Sequence, residues 1–220
     1  AVFGLLGVDA DACAPMSGVE FEPIADAARR VVAQIEAEAE ADYVICLSHS
    51  GTDGTRGEDY ELARAVDGID VILSGHTHTT LAQPIEVNGT LIVSCGEYTQ
   101  NLGVLTVGKE GEEVALRSYE LIPIDETVAD DPELSALAAQ FKTMVDADYL
   151  SQYGMTFDEV LASSSFSFTP IGQFAQEQRE DPLGSLIADS YVHAVREAEG
   201  EDYVPVDFAV VAAGVIRGSF

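Results

Sequence analysis

Apolar positions along this chain come first as short runs between polar turns and later as helical stripes. Residues 1–8 read as a strand, and residues 9–22 as a loop around Pro15 and Gly18. Pro23 opens a helix at its first position. Its apolar residues Ile24, Ala28, Val31, Val32 and Ile35 recur at three- and four-residue steps. Residues 43–47 and 69–73 are apolar runs of strand length, and 57–66 between them suits a helix. A strand–helix–strand unit pairs its strands in parallel. Residues 84–87 and 90–93 flank Asn88-Gly89, a hairpin signal for a type I′ turn. A second hairpin is expected from strands near 102–107 and 113–121, with Gly108-Lys109-Glu110-Gly111 between them.

An acidic stretch over 125–130 then separates this α/β region from a different pattern. Asp131-Pro132 starts a helix with an Asp cap and Pro in the first turn. Leu134, Leu137, Ala138, Phe141, Met144 and Val145 form its stripe, which the spacing assigns to packing. Residues 157–178 read as a strand and a polar loop; the Ser163-Ser164-Ser165 run there has no neighbouring base to activate it. Asp181-Pro182 caps another helix, lined by Leu183, Leu186, Ile187, Tyr191, Ala194 and Val195, with His193 off the stripe. Residues 206–211 read as a buried strand.

Charge narrows the possible partners. The chain carries 39 acidic and 10 basic residues, a net charge of −29. Such a surface repels nucleic-acid backbone and anionic membranes, which argues against both as partners. No run approaches the roughly 20 apolar residues of a membrane span. Cys13, Cys46 and Cys95 are odd in number and widely spaced, so they form neither a disulfide framework nor a zinc knuckle. Cys46 reads as a small core residue.

The candidate chemistry lies where the two strands end. The first is followed by Ser48-His49 and the second by Ser74-Gly75-His76-Thr77-His78, so three of the four histidines stand at strand ends. Parallel strands bring their carboxyl ends to one edge of the sheet, where ligands bind. Imidazole is a common ligand of zinc, manganese and related metals. His49, His76 and His78 are therefore expected to converge on a metal. In an extended loop His76 and His78 would share a side. Asp53, Glu58 and Asp59 are the nearby carboxylates, and none shares the strand-end placement.

These residues, Leu47-Ser48-His49-Ser50-Gly51 followed by Gly75-His76-Thr77-His78, resemble the calcineurin-like metallophosphoesterases, and within them the 5′-nucleotidase branch. The resemblance continues through Gly96-Glu97-Tyr98-Thr99-Gln100-Asn101-Leu102-Gly103. It extends to Arg179-Glu180-Asp181-Pro182-Leu183-Gly184-Ser185-Leu186-Ile187-Ala188-Asp189 and, in outline, to 207–217. It implies an α/β fold: the second half of a layered metallophosphoesterase sandwich over 1–124, an acidic linker and helix over 125–156, and the first part of an α+β substrate-binding domain over 157–220. It also implies two divalent metal ions, zinc, manganese or similar. His49 and His76 would serve one ion, and His78 would bind or face the other.

Arg179 and Arg217 match arginines that hold substrate, and Gly214 is retained from the family's glycine run. A planar guanidinium grips phosphate bidentately, which suits that role. The implied reaction is hydrolysis of a nucleotide or sugar-nucleotide phosphoester by metal-activated water, in an extracellular, periplasmic or cell-surface protein. Two departures stand out. Ala212-Ala213 replaces the Asn-Gly that begins the family's glycine run. The family's Asp-x-His and Asn-His-Asp/Glu elements, the latter with the catalytic His, do not occur before His49. The chain is accordingly expected to be an internal piece of a longer protein, inactive alone and with no catalytic residue of its own. Two alternatives compete: a non-catalytic binding protein on a decayed scaffold, and a self-contained zinc hydrolase with three His ligands.

Overall fold

The computed structural model describes residues 1–38, 41–111, 113–170, 173 and 180–216. The chain divides into two compact units, Ala1–Pro132 and Glu133–Phe220.

In the first unit, strands β1 (Val2–Leu6), β2 (Ile45–His49), β3 (Val71–Ser74), β4 (Ile85–Val87) and β5 (Thr90–Val93) form one sheet in the order β1-β2-β3-β5-β4. β1, β2, β3 and β5 run parallel, and β4 closes the edge antiparallel to β5. The strand–helix–strand unit is thus formed as expected, by β2, α3 (Glu58–Ala65) and β3, with the two strands adjacent. Asn88 (φ 51°) and Gly89 (φ 79°) make the turn between β4 and β5, both in the left-handed region that a type I′ turn needs.

Helix α2 (Ile24–Glu38) begins one residue after Pro23, whose carbonyl accepts from the amides of Asp26 and Ala27. It buries Ala28 and Val32. These join Leu62, Ala63 and Val66 from the α3 region and Cys46, Ile72 and Ile92 from the sheet in one core. Burying a side chain of Leu or Ile size contributes about 1.5–3 kcal/mol each, so this cluster dominates the unit's stability.

The two faces of the sheet differ. Along β2, Cys46 and Ser48 are buried, whereas Leu47 and His49 are exposed. Leu47, Leu73 and Leu6 remain about half exposed. They line, with His49, Gly75 and Phe21, a concave surface of about 720 Å³.

Two local expectations for this unit are corrected. Residues Asp9–Cys13 form a short helix, α1, within the segment expected to be loop. The second hairpin is longer than expected: β6 (Asn101–Glu110) pairs with β7 (Glu113–Pro123). The ladder runs through Gly108 and Lys109 because Gly111 (φ 69°) supplies the left-handed residue at the turn.

The second unit contains α4 (Pro132–Asp148), a 3₁₀ turn at Leu150–Tyr153 and α5 (Pro182–Glu199). Asp181 caps α5 as expected, its carboxylate accepting from the Leu183 amide at 3.0 Å. The α4 stripe is not packed: no residue of that helix is buried. The strands expected within 157–178 and at 206–211 are absent among the described residues. An apolar run becomes a strand only with a ladder partner, and Phe208 and Val210 stay 78% exposed. His193 is exposed, as expected.

Candidate metal centre

The sheet brings two of the three strand-end histidines together. Ser48 lies opposite Ser74 in the β2–β3 register, so His49 and the Gly75-His76 loop leave the same edge side by side. The Gly75 amide donates to the Ser48 carbonyl at 2.9 Å. A side chain at Gly75 would meet His49 Nδ1 at 3.2 Å and the Ser48 carbonyl at 3.4 Å. Glycine there lets the loop rest on the imidazole. The His49 and His76 rings then stand edge-on with centroids 5.0 Å apart.

That spacing is a test of fit for a metal. Two imidazoles ligating one ion at about 2.0–2.1 Å with a tetrahedral angle have ring centres about 5 Å apart. His49 and His76 meet this condition. They supply only two donors, however. Among the described residues no group of three or more His, Cys, Asp or Glu side chains could hold an ion.

His78 is placed differently from the expectation. The loop is not extended: His76 (φ 76°) and His78 (φ 56°) both adopt left-handed backbone. The two intervening threonines do share a side. Thr77 donates to the Thr52 carbonyl at 2.9 Å, and Thr79 reaches the same oxygen. His78 instead meets Glu97, with Nδ1 2.5 Å from Oε2, and packs edge-on against Tyr98 at 5.6 Å. His76 Nε2 lies 3.0 Å from Asp9 Oδ2.

Beneath the pair sits a carboxylate that the sequence reading set aside. Asp59, fully buried in the first turn of α3, accepts from the hydroxyls of Ser48 and Ser74, each at 2.5 Å, and from the Gly51 amide at 3.0 Å. It ties both strand ends to the helix, directly before each histidine segment. Burial pushes its carboxyl above the ordinary range, against the opposing pull of Ser48, Ser74, the Gly51 amide and His49. The signal was in the spacing: Asp59 occupies the apolar stripe of Leu62, Ala63 and Val66, where a charge needs buried partners.

The other two carboxylates have local roles. Glu58 accepts from the Val8 amide at 3.1 Å. Asp53 accepts from Arg56 Nε at 2.6 Å and from the Thr55 and Arg56 amides, which hold its carboxyl well below the usual range. Cys46 is buried, and desolvation with the nearby Asp59 charge pushes its thiol up to about 12. All three cysteines are free. Gly214 lies in a short 3₁₀ turn, Ala213–Val215, with open space where a side chain would be. Arg179 and Arg217 lie outside the described residues.

No protein-family model matches the chain. Individual relatives do. The chain is 28% identical over 229 residues to the trifunctional nucleotide phosphoesterase protein YfkN of Bacillus subtilis (strain 168), covering 99% of this chain and 14% of that protein. It is 23% identical over 243 residues to a 5′-nucleotidase of Vibrio vulnificus (strain CMCP6), covering 93% of this chain and 41% of the relative. The chain thus spans less than half the length of these relatives. Among solved structures, the calcineurin-like phosphoesterase YfkN from Bacillus subtilis superposes with a TM-score of 0.53 at 22% identity. That match covers 68% of this chain and 52% of the other. Along nearly its whole length the chain is thus similar to calcineurin-like phosphoesterases and 5′-nucleotidases, and it shares the fold of the former.

Proposed function

We propose that this chain contributes to a metal-dependent hydrolase of nucleotide phosphoesters, of the 5′-nucleotidase, UDP-sugar hydrolase or 2′,3′-cyclic-nucleotide phosphodiesterase type. The observation that carries this is the His49–His76 pair, 5.0 Å apart at the ends of adjacent parallel strands. The nucleotide phosphoesterase activity in a relative's name supports the substrate class. His49 and His76 would hold one divalent ion, zinc, manganese or similar, and His78 would face a second. Bound ions of this kind polarise a phosphoester and activate water for attack on it. Arg179, Arg217 and Gly214 would bind the nucleotide. The remaining ligands and the catalytic histidine would come from outside these 220 residues. Residues 1–124 would form part of the phosphoesterase domain, 125–156 a linker, and 157–220 part of the substrate-binding domain. The acidic surface leaves the local attraction for phosphate to the ions and arginines, and it suits an extracellular, periplasmic or cell-surface setting.

No helix among the described residues is long and apolar enough to cross a membrane.

The test is to titrate the chain with Zn²⁺ or Mn²⁺ while recording histidine NMR signals, alongside a 5′-nucleotide hydrolysis assay. The His49 and His76 resonances should respond together, with no turnover by this chain alone. Independent responses of those rings would overturn the shared site. Robust turnover would overturn the reading that the chain needs further ligands.

A further inference from the structure

The first turn of α3 grips three neighbouring strand ends on the rim where His49 and His76 stand. Glu58 accepts from the Val8 amide, just past β1, at 3.1 Å. Asp59 accepts from the hydroxyls of Ser48 in β2 and Ser74 in β3, each at 2.5 Å, and from the Gly51 amide at 3.0 Å. Its own amide donates back to the Gly51 carbonyl at 3.0 Å, so helix and loop are joined in both directions. Ser50, also buried, has its hydroxyl 2.9 Å from that of Ser48 and extends the network. The elements approach closely enough to require glycine at position 7, where a side chain would collide with the Glu58 carboxylate and with Ser50 Cα.

A carboxylate buried to this degree is costly. Leu62, Ala63 and Val66 follow it on the same stripe, where an apolar side chain would pack without that cost. Its hydrogen-bond partners are two hydroxyls and an amide, all neutral, so none of them offsets the desolvation with an opposite charge. What three directed bonds supply, and an apolar residue cannot, is a fixed relation among the atoms they join. Those atoms lie immediately before His49 and two residues before His76. The β2–β3 ladder ends at the Ser48–Ser74 pair. Past it, the bond from the Gly75 amide to the Ser48 carbonyl and the reach of Asp59 hold the two segments together. We propose that Asp59 is a positioning residue for the His49–His76 pair, acting through Ser48 on one ring and through Ser74 on the other. This rests on reading that pair as the functional site, and it holds whatever the rings bind.

The test is NMR of the full chain at about pH 8, above the ordinary histidine titration, reading the through-space contact between the His49 and His76 ring protons. The wild type should show it. Asp59→Ala should lose it while the Ile72 and Ile92 methyl signals stay in place, which separates loss of positioning from loss of the core. Asp59→Asn should restore it, because the amide oxygen still accepts from Ser74 and Gly51 and the amide NH₂ donates to Ser48. Ser48→Ala should shift the His49 signals more than those of His76, and Ser74→Ala the reverse. Either serine substitution added to Asp59→Ala should change nothing further, since the route is already cut. Ring contact that survives in Asp59→Ala overturns the proposal, as does Asp59→Asn failing like Asp59→Ala, or serine effects that add in full to that of Asp59→Ala. If Asp59→Ala does not fold, the serine variants decide alone: histidine signals indifferent to which serine is lost overturn the proposal. A wild type without the ring contact removes the pair itself, and with it both the proposed function and this inference; contact that persists without Asp59 removes only this inference.

Discussion

Both units carry helices with apolar stripes at the same spacing, yet only one unit buries more than a single residue of any stripe. In the first, α2 buries Ala28 and Val32 and α3 buries Leu62 and Ala63, all against a parallel sheet. In the second, α4 exposes Leu134, Leu137, Phe141, Met144 and Val145, and α5 buries Leu183 alone. A stripe states which face of a helix can be covered, not that a surface exists to cover it. The sheet is that surface in the first unit. It also ends in the serines and histidines of the candidate centre, so packing and site share one scaffold.

The sharpest way to break this contrast is through the core. Ile72 and Ile92 are 0% exposed in adjacent strands. Ile72→Ala or Ile92→Ala should each destabilise the first unit by about 2–5 kcal/mol in denaturant unfolding. A loss below about 1 kcal/mol would mean the sheet core is not what holds that unit together.

A smaller effect is expected at the site itself. Gly51 has φ 95°, and an added side chain there would collide with Thr77. Gly51→Ala should cost about 1–3 kcal/mol. Because Thr77 separates the two loop histidines, the NMR signals of His76 and His78 should move while those of α4 do not. Unmoved histidine signals would detach the loop from its anchor on Thr52.

The legible part of the fold follows the same division. Periodicity located β2, α3, β3 and the Asn88-Gly89 hairpin because local pattern and tertiary partner agree there. It also placed His49 beside His76, since parallel strands share an edge whatever the loops do. It misassigned 206–211, where the apolar run finds no ladder among the described residues. His78 escaped for a different reason. Two left-handed residues in one short loop cannot be read from residue types that seldom adopt that backbone. The contacts of Asp9 and Glu97 join segments 67 and 19 residues from their histidines, and nothing local marks them. Asp59 was legible in principle, as a charge on an apolar stripe.

Acid titration sharpens the comparison by sign. Burial holds the Asp59 carboxyl above its ordinary 3.8, a value it regains on unfolding. Between those two values the folded chain keeps a proton that the unfolded chain has lost. Stability from this group therefore falls as pH rises through that window and returns on acidification. Measured as wild type minus Asp59→Asn, stability should rise as pH drops from neutral into the carboxylate range. Asp53 runs the other way. Arg56 and the turn amides hold it below 3.8, so its contribution is present above that value and disappears as pH falls below it. Wild type minus Asp53→Asn should shrink on acidification. Parallel trends in the two differences would contradict the burial of Asp59.

The smallest expected effect tests the second unit directly. Phe141 is 56% exposed at the middle of the α4 stripe. Phe141→Ser removes a large apolar side chain that, as the structure stands, leaves water only in part. The substitution should change unfolding free energy by no more than about 0.5 kcal/mol, the usual range for surface positions away from caps and cores. Serine is a slightly weaker helix former but relieves exposed apolar area, so the two terms oppose each other. A loss comparable to that of Ile72→Ala would show that α4 is covered in solution. The two units would then differ in what covers their stripes, and no longer in whether the stripes are covered.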